Sequence, residues 1–208
     1  NQEIHLPRPF SIKFDRHMVR KILHIGIPNG LENSMFQLGK ILVLSLVAGF
    51  GTASIAANAV SNTIAMFQIL PGMAIGFAIL TVVSQCVGAG DYDQAKYYTK
   101  KLMKIVYVAM WGMNVIIFLL LPLIMKVYNL SDVTAQMTTQ ILTYHAICCC
   151  TIWPMSFSLP NTLRASNDVR LTMIISILSM WIFRIAFSYV LGKFLGWGVF
   201  GVWVAMTI

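Results

Sequence analysis

Lys100-Lys101-Leu102-Met103-Lys104 leads directly into Ile105-Val106-Tyr107-Val108-Ala109-Met110, and the apolar run continues to Met125. A cluster of cations that ends where about 20 apolar residues begin marks a helix entering a bilayer from the cytoplasm. The pattern recurs along the chain. Arg8, Lys13, Arg16, Arg20 and Lys21 precede an apolar run from Ile25, Lys96 belongs to the central cluster, and Arg164 and Arg170 stand at a third junction. Eleven of the 15 Lys and Arg residues lie in these three stretches. Lys126 and Lys193 fall at the intervening connections, and Lys40 and Arg184 fall inside apolar runs. The opposite orientation would put positive charge on the wrong side at every loop. The charge pattern therefore predicts a multi-pass protein of the cytoplasmic (inner) membrane, with the N-terminal segment in the cytoplasm.

Composition agrees. Hydrophobic residues make up 58% of the chain and charged residues 11%, against about a quarter charged in soluble domains. The net charge of +8 does not point to nucleic acid, because the basic residues flank apolar spans instead of lining one polar face. Their expected partner is the bilayer, including its anionic lipid. Cys86, Cys148, Cys149 and Cys150 sit in apolar runs and do not form a disulfide framework. No secretory signal peptide is visible. The chain stops at Ile208 inside an apolar run that is too short to span, which reads as a fragment of a longer protein.

The predicted fold class is an all-α polytopic membrane protein. Residues 1–24 form a basic cytoplasmic lead-in that opens with Pro7 and Pro9. Spans follow at roughly 25–50, 53–87, 105–125, 133–160 and 169–191, with an incomplete one at 199–208. Gly51-Thr52 marks a tight outer turn, and Pro71-Gly72 a kink in the second span. Gly88-Ala89-Gly90-Asp91 ends one helix and starts the next, with Asp91 as N-cap and Gln94 placed to complete a capping box. Pro154 and Pro160 break the inner end of the fourth span, and residues 163–168 turn the chain on the cytoplasmic side.

Ionisable residues inside spans are expensive and mark function by default. They are Glu32, Lys40, His145 and Arg184. Asn29, Glu32, Asn33, Gln37 and Lys40 fall within an arc of roughly 140° on one helix. A polar stripe of this kind faces other helices or a wet cavity, because lipid cannot solvate it. Glu32 is the candidate for a coupling cation or proton, or else a charge solvated at the helix end. Gln37 and Lys40 are candidate cavity residues, with an internal ion pair or snorkelling as the alternative for Lys40. Asn58, Ser61 and Asn62 share a face of the second span, and Gln68 precedes the proline. Asn58, Asn62 and Gln68 either line the cavity or join helices. His145 with Cys148 and Cys149 has metal-ligand spacing but no acidic or His partner in a neighbouring span, so no metal site is assigned. Arg184 reads as packing or snorkelling. No phosphate-binding glycine loop, nucleophile elbow or carboxylate pair is present, so the chain does not read as an enzyme and needs no cofactor.

Several stretches resemble one family. Ile25-Gly26-Ile27-Pro28 resembles the opening of its seventh span, and residues 50–57 the outer turn that follows. Val87-Gly88-Ala89-Gly90-Asp91 resembles the next inner turn. Leu163-Arg164-Ala165-Ser166-Asn167-Asp168 resembles its Leu-Arg-Gly-x-x-Asp turn, and residues 172–184 the span after it. Five such matches in order, each on the expected side, resemble the C-terminal half of bacterial multidrug and toxic compound extrusion (MATE) transporters. The resemblance implies a six-helix lobe of a twelve-helix, two-lobe transporter, with the last helix truncated and the N-terminal lobe of the same polypeptide as partner. It implies efflux of drugs or cationic, amphipathic small molecules by Na⁺ or H⁺ antiport and alternating access. Asp91, Arg164 and Asp168 are expected to hold inner turns together. One branch carries an acid where this chain has Phe36 and an Asp where it has Trp153, so that branch's C-lobe cation site is absent or rebuilt here. The alternatives are a lipid-linked saccharide flippase of the same superfamily and an intramembrane metal enzyme built on His145 and the Cys148–Cys150 cluster.

Overall fold

The computed structural model describes residues 15–166 and 169–208. The first 14 residues of the expected lead-in, and the loop residue Asp168, lie outside the described residues. Helix α1 spans Arg16–Ala48, α2 Thr52–Gly88, α3 Tyr92–Tyr128 and α4 Asp132–Thr151. Short α5 (Pro160–Ala165), α6 (Val169–Ser179) and α7 (Gly198–Thr207) follow. No strand occurs among the described residues.

The helix ends follow from local chemistry. Asp15 caps α1, its carboxylate accepting from the His17 and Met18 N–H groups at 2.8 and 3.3 Å. The helix therefore starts at Arg16, and the described part of the lead-in is fused to the first span instead of lying apart from it. Gly90 takes φ +75° between α2 and α3. Asp91 then caps α3 by accepting from Gln94 N–H at 3.0 Å. The reciprocal arm of the expected capping box is not made, because the Asp91 N–H donates to the Cys86 carbonyl at 3.0 Å. Asn129, left-handed at φ 47°, ends α3, and Ser131 caps α4.

The prolines act as expected on the fourth segment. Past Thr151 the chain continues through a π-helical turn, Pro154–Ser158, before α5 begins at Pro160. A proline offers no N–H to the preceding turn, and the wider turn accommodates the gap. Two more π-helical stretches, Met180–Ala186 and Tyr189–Phe194, carry the chain from α6 towards α7. Pro71 lies inside α2, which runs through it from Thr52 to Gly88.

α2 is the central element, packed against α3, α4 and α5. Three apolar clusters hold the bundle. Val43, Leu46 and Val47 of α1 meet Ile141 of α4 and Val202 and Trp203 of α7. Ile79 and Val83 of α2 meet Val106 and Met110 of α3. Val60 and Ile64 of α2 meet Ile117, Leu121 and Leu142. Gly72 permits one close approach: a Cβ there would run into the Trp153 ring and come within 2.8 Å of the Met110 sulfur. The outer faces are apolar and open, with Leu119 76% and Phe77 65% exposed. Water would not tolerate that surface, but acyl chains solvate it. Arg16–Ala48, Thr52–Gly88, Tyr92–Tyr128 and Thr172–Phe194 are long and apolar enough to cross a membrane. The expected fourth span is not among them, because Thr134, Thr138, Thr139, Gln140, Thr143 and His145 make α4 more polar.

Candidate functional site

The buried face of α1 runs through Glu32, Gly39, Val43 and Leu46, at spacings of seven, four and three. Asn33, Gln37 and Lys40 lie roughly 100° around the same helix and are exposed. One helix therefore presents a polar stripe outwards while its single acid turns inwards. Glu32 is only 6% exposed. Its Oε1 accepts from Arg164 Nη2 at 2.7 Å, joining α1 to α5 across 132 residues of sequence. Arg164 also donates from Nη1 to Asn161 Oδ1 at 3.3 Å. The second carboxylate oxygen, Oε2, is buried and has no hydrogen-bond partner among the described residues. A buried ion pair ordinarily fills its remaining acceptors with hydrogen bonds. This acid thus keeps one unmet acceptor beside the Arg164 guanidinium.

A second polar cluster crosses the bundle interior. His145 Nδ1 of α4 lies 2.6 Å from Gln68 Oε1 of α2 and 3.4 Å from Cys149 Sγ. The His145 ring stands edge-on to Trp203, with ring centroids 5.4 Å apart. Trp203 in turn donates from Nε1 to Asn58 Oδ1 at 3.0 Å. Asn58 and Gln68 are thus buried, at 8% and 1% exposure, and are bonded to α7 and α4. Both amides therefore tie α2 to neighbouring helices within this lobe. Asn62 stays exposed and donates to the Asn58 carbonyl at 2.8 Å. Among the described residues no group of three or more His, Cys, Asp or Glu is gathered that could hold a metal ion.

Trp153, the position the resemblance pairs with an acid, lies over Gly72 and stacks on Phe157 at 5.1 Å. An indole at this position supplies no carboxylate. Arg184 lies in the π-helical stretch with a buried Nε that has no partner among the described residues. Sequence reasoning passed over Asn161, Trp203 and Asn114. Asn161 and Trp203 showed no signal without their partners in space. Asn114 did, because a lone amide in the apolar run 105–125 is costly.

The MatE family model matches residues 28–190. The chain is 26% identical to the probable multidrug resistance protein YoeA of Bacillus subtilis over 93% of its own length and 42% of that protein's. It is 28% identical to the probable multidrug resistance protein NorM of Oceanobacillus iheyensis, over 89% of this chain and 41% of that one. A solved structure described as the outward-facing conformation of a multidrug resistance MATE family transporter of the MOP superfamily superposes with a TM-score of 0.83 at 19% identity. The match covers 97% of this chain and 45% of that one. The chain thus spans less than half the length of these relatives, which corresponds to one lobe.

Proposed function

From the premise that this chain belongs to the MatE family, we propose that it is the C-terminal lobe of an antiporter that exports amphipathic or cationic small molecules across the cytoplasmic membrane. Na⁺ or H⁺ would drive the export. The observation that carries the reading is the buried Glu32, which holds Arg164 with one oxygen and leaves the other without a partner among the described residues. In this reading a cation or proton arriving at Oε2 competes with Arg164 for the carboxylate. Weakening the 2.7 Å bond loosens the cytoplasmic end of α1 from α5. The exposed Asn33, Gln37 and Lys40 stripe then forms part of the wall that faces the N-terminal lobe, where substrate passes. Alternating access would follow from the two lobes rocking about that space, with the spans at the boundaries given above.

The test uses the full-length protein. Glu32→Gln keeps the size of the side chain and removes its charge. It is expected to lower ion-driven efflux of a cationic dye at least several-fold at equal protein level. Unchanged efflux would make Glu32 a structural charge and remove this coupling scheme.

A further inference from the structure

The basic stretches are not alike. Arg16 and Arg20 follow the acid Asp15, and Arg164 is held by Glu32. On α3 no acid occurs between Asp93 and Asp132. Asp93 lies 3.8 Å from Lys96. Lys100, Lys101 and Lys104 are exposed and make no ion pair among the described residues. Lys101 Nζ lies 5.7 Å from the centroid of the Tyr97 ring, one turn back towards the helix start. Like charges at i, i+3 and i, i+4 repel across a helix face. Lys101 with Lys104, and Lys100 with Lys104, are such pairs, so the segment is destabilised until an anion joins them.

The side of α3 that carries these cations is fixed by packing. Ala95, Leu102 and Met103 turn into the cluster around Ile79 and Val83, which aims the lysines away from the bundle. At 100° per residue Lys100, Lys101 and Lys104 fall within an arc of roughly 100°. Val108, Trp111 and Val115 fall inside the same arc, further along the helix, and are 74%, 56% and 52% exposed. From Lys104 to Val115 the helix rises about 16 Å, close to the half of a roughly 30 Å hydrocarbon core that one leaflet supplies. A cationic head site and an apolar track one leaflet long therefore share one face. A soluble anion would satisfy only the first of them.

We propose that this face of α3 binds an anionic phospholipid, with its phosphate among Lys100, Lys101 and Lys104 and an acyl chain along Val108, Trp111 and Val115. Charge complementarity selects the headgroup, and the aligned apolar residues select a lipid. The site is separate from the Glu32–Arg164 pair. It does not depend on the antiport reading and stands or falls on its own test.

That test is photolabelling of the full-length protein in phosphatidylcholine nanodiscs. Two trace probes with the same mid-chain diazirine are compared, one a phosphatidylglycerol and the other a phosphatidylcholine, and labelled residues are mapped by mass spectrometry. The phosphatidylglycerol is expected to label Val108, Trp111 and Val115 at least about 5-fold more than the phosphatidylcholine, the preference that a single lysine near an anionic headgroup supplies. Lys100→Gln, Lys101→Gln and Lys104→Gln combined should bring the two probes level. Phosphatidylcholine labelling should persist in that variant, which also reports that α3 still presents this face. The matching triple Lys→Arg variant keeps the charge and should keep the preference. Equal labelling by both probes in the unsubstituted protein, a preference that survives the triple Gln variant, or a face that neither probe labels overturns the proposal.

Discussion

Arg164 holds Glu32 at 2.7 Å, and the two residues are unequal partners: the Glu32 side chain is 8% exposed and the Arg164 side chain 28%. Removing the arginine strands a carboxylate in the bundle. Removing the carboxylate's charge strands a cation that already reaches the surface. Breaking a buried pair costs about 3–5 kcal/mol when the abandoned charge stays buried. Arg164→Ala should therefore destabilise the protein by about 3 kcal/mol, and Glu32→Gln by clearly less. Glu32→Gln combined with Arg164→Ala should recover part of the single arginine loss. Thermal unfolding in detergent checks the order; an arginine variant as stable as the glutamine variant would show that the pair is not buried in the assembled protein.

This pair also shows where sequence reading stops. The acid on α1 and the arginine in the 163–168 turn were each singled out by local rules: an ionisable group in a span, and a basic residue at an inner loop. Nothing in a one-dimensional pattern joins positions 132 residues apart. The all-α class and the helix breaks at Gly90, Pro154 and Pro160 depend on period and local backbone chemistry, so they could be read. The partners of Asn58 and Gln68 could not, because an amide on a helix face looks the same whether it meets water or the Trp203 indole. The start of α1 was missed for a smaller reason: Asp15 lies among basic and apolar residues and was not recognised as a cap.

Trp203→Phe separates the hydrogen bond to Asn58 from the packing of the ring. It keeps most of the apolar volume in the α1–α4–α7 cluster and deletes the Nε1 donor. Interhelical hydrogen bonds inside membranes contribute about 0.6 kcal/mol on average and at most about 1.7. The phenylalanine variant should lose about 0.5–1.5 kcal/mol, and Trp203→Ala about 3–5 kcal/mol through its cavity. Equal losses for the two would mean that the bond to Asn58, not the packing, dominates.

Two glycines should respond oppositely to alanine. At Gly72 a methyl group would meet the Trp153 ring and the Met110 sulfur, so Gly72→Ala should cost about 1–3 kcal/mol through overpacking. At Gly112 nothing lies within 4 Å of the new Cβ, and the helix continues on both sides. Gly112→Ala should stabilise by about 0.5–1 kcal/mol through backbone entropy alone. A Gly72→Ala variant that melts no lower than the unsubstituted protein would contradict the packing of α2 against Trp153 and Met110 described here.

The exposed stripe on α1 makes the most direct prediction about the space the lobe borders. Asn33, Gln37 and Lys40 are exposed, and so is Leu44, one turn beyond Lys40. If the stripe bounds a wet cavity, Gln37→Cys and Lys40→Cys in a full-length, otherwise cysteine-free protein should react with a membrane-impermeant thiol reagent, because that chemistry needs both access and water to form the thiolate. Leu119→Cys, on the 76%-exposed apolar face of α3, should stay unreactive although nothing covers it. Adding a transported cationic dye should slow modification at positions 37 and 40 if substrate passes along the stripe, and leave position 119 unchanged. Cysteines at 37 and 40 as inert as the one at 119 would place the stripe against protein or lipid, and Lys40 would then need an ion-pair partner supplied by the rest of the polypeptide.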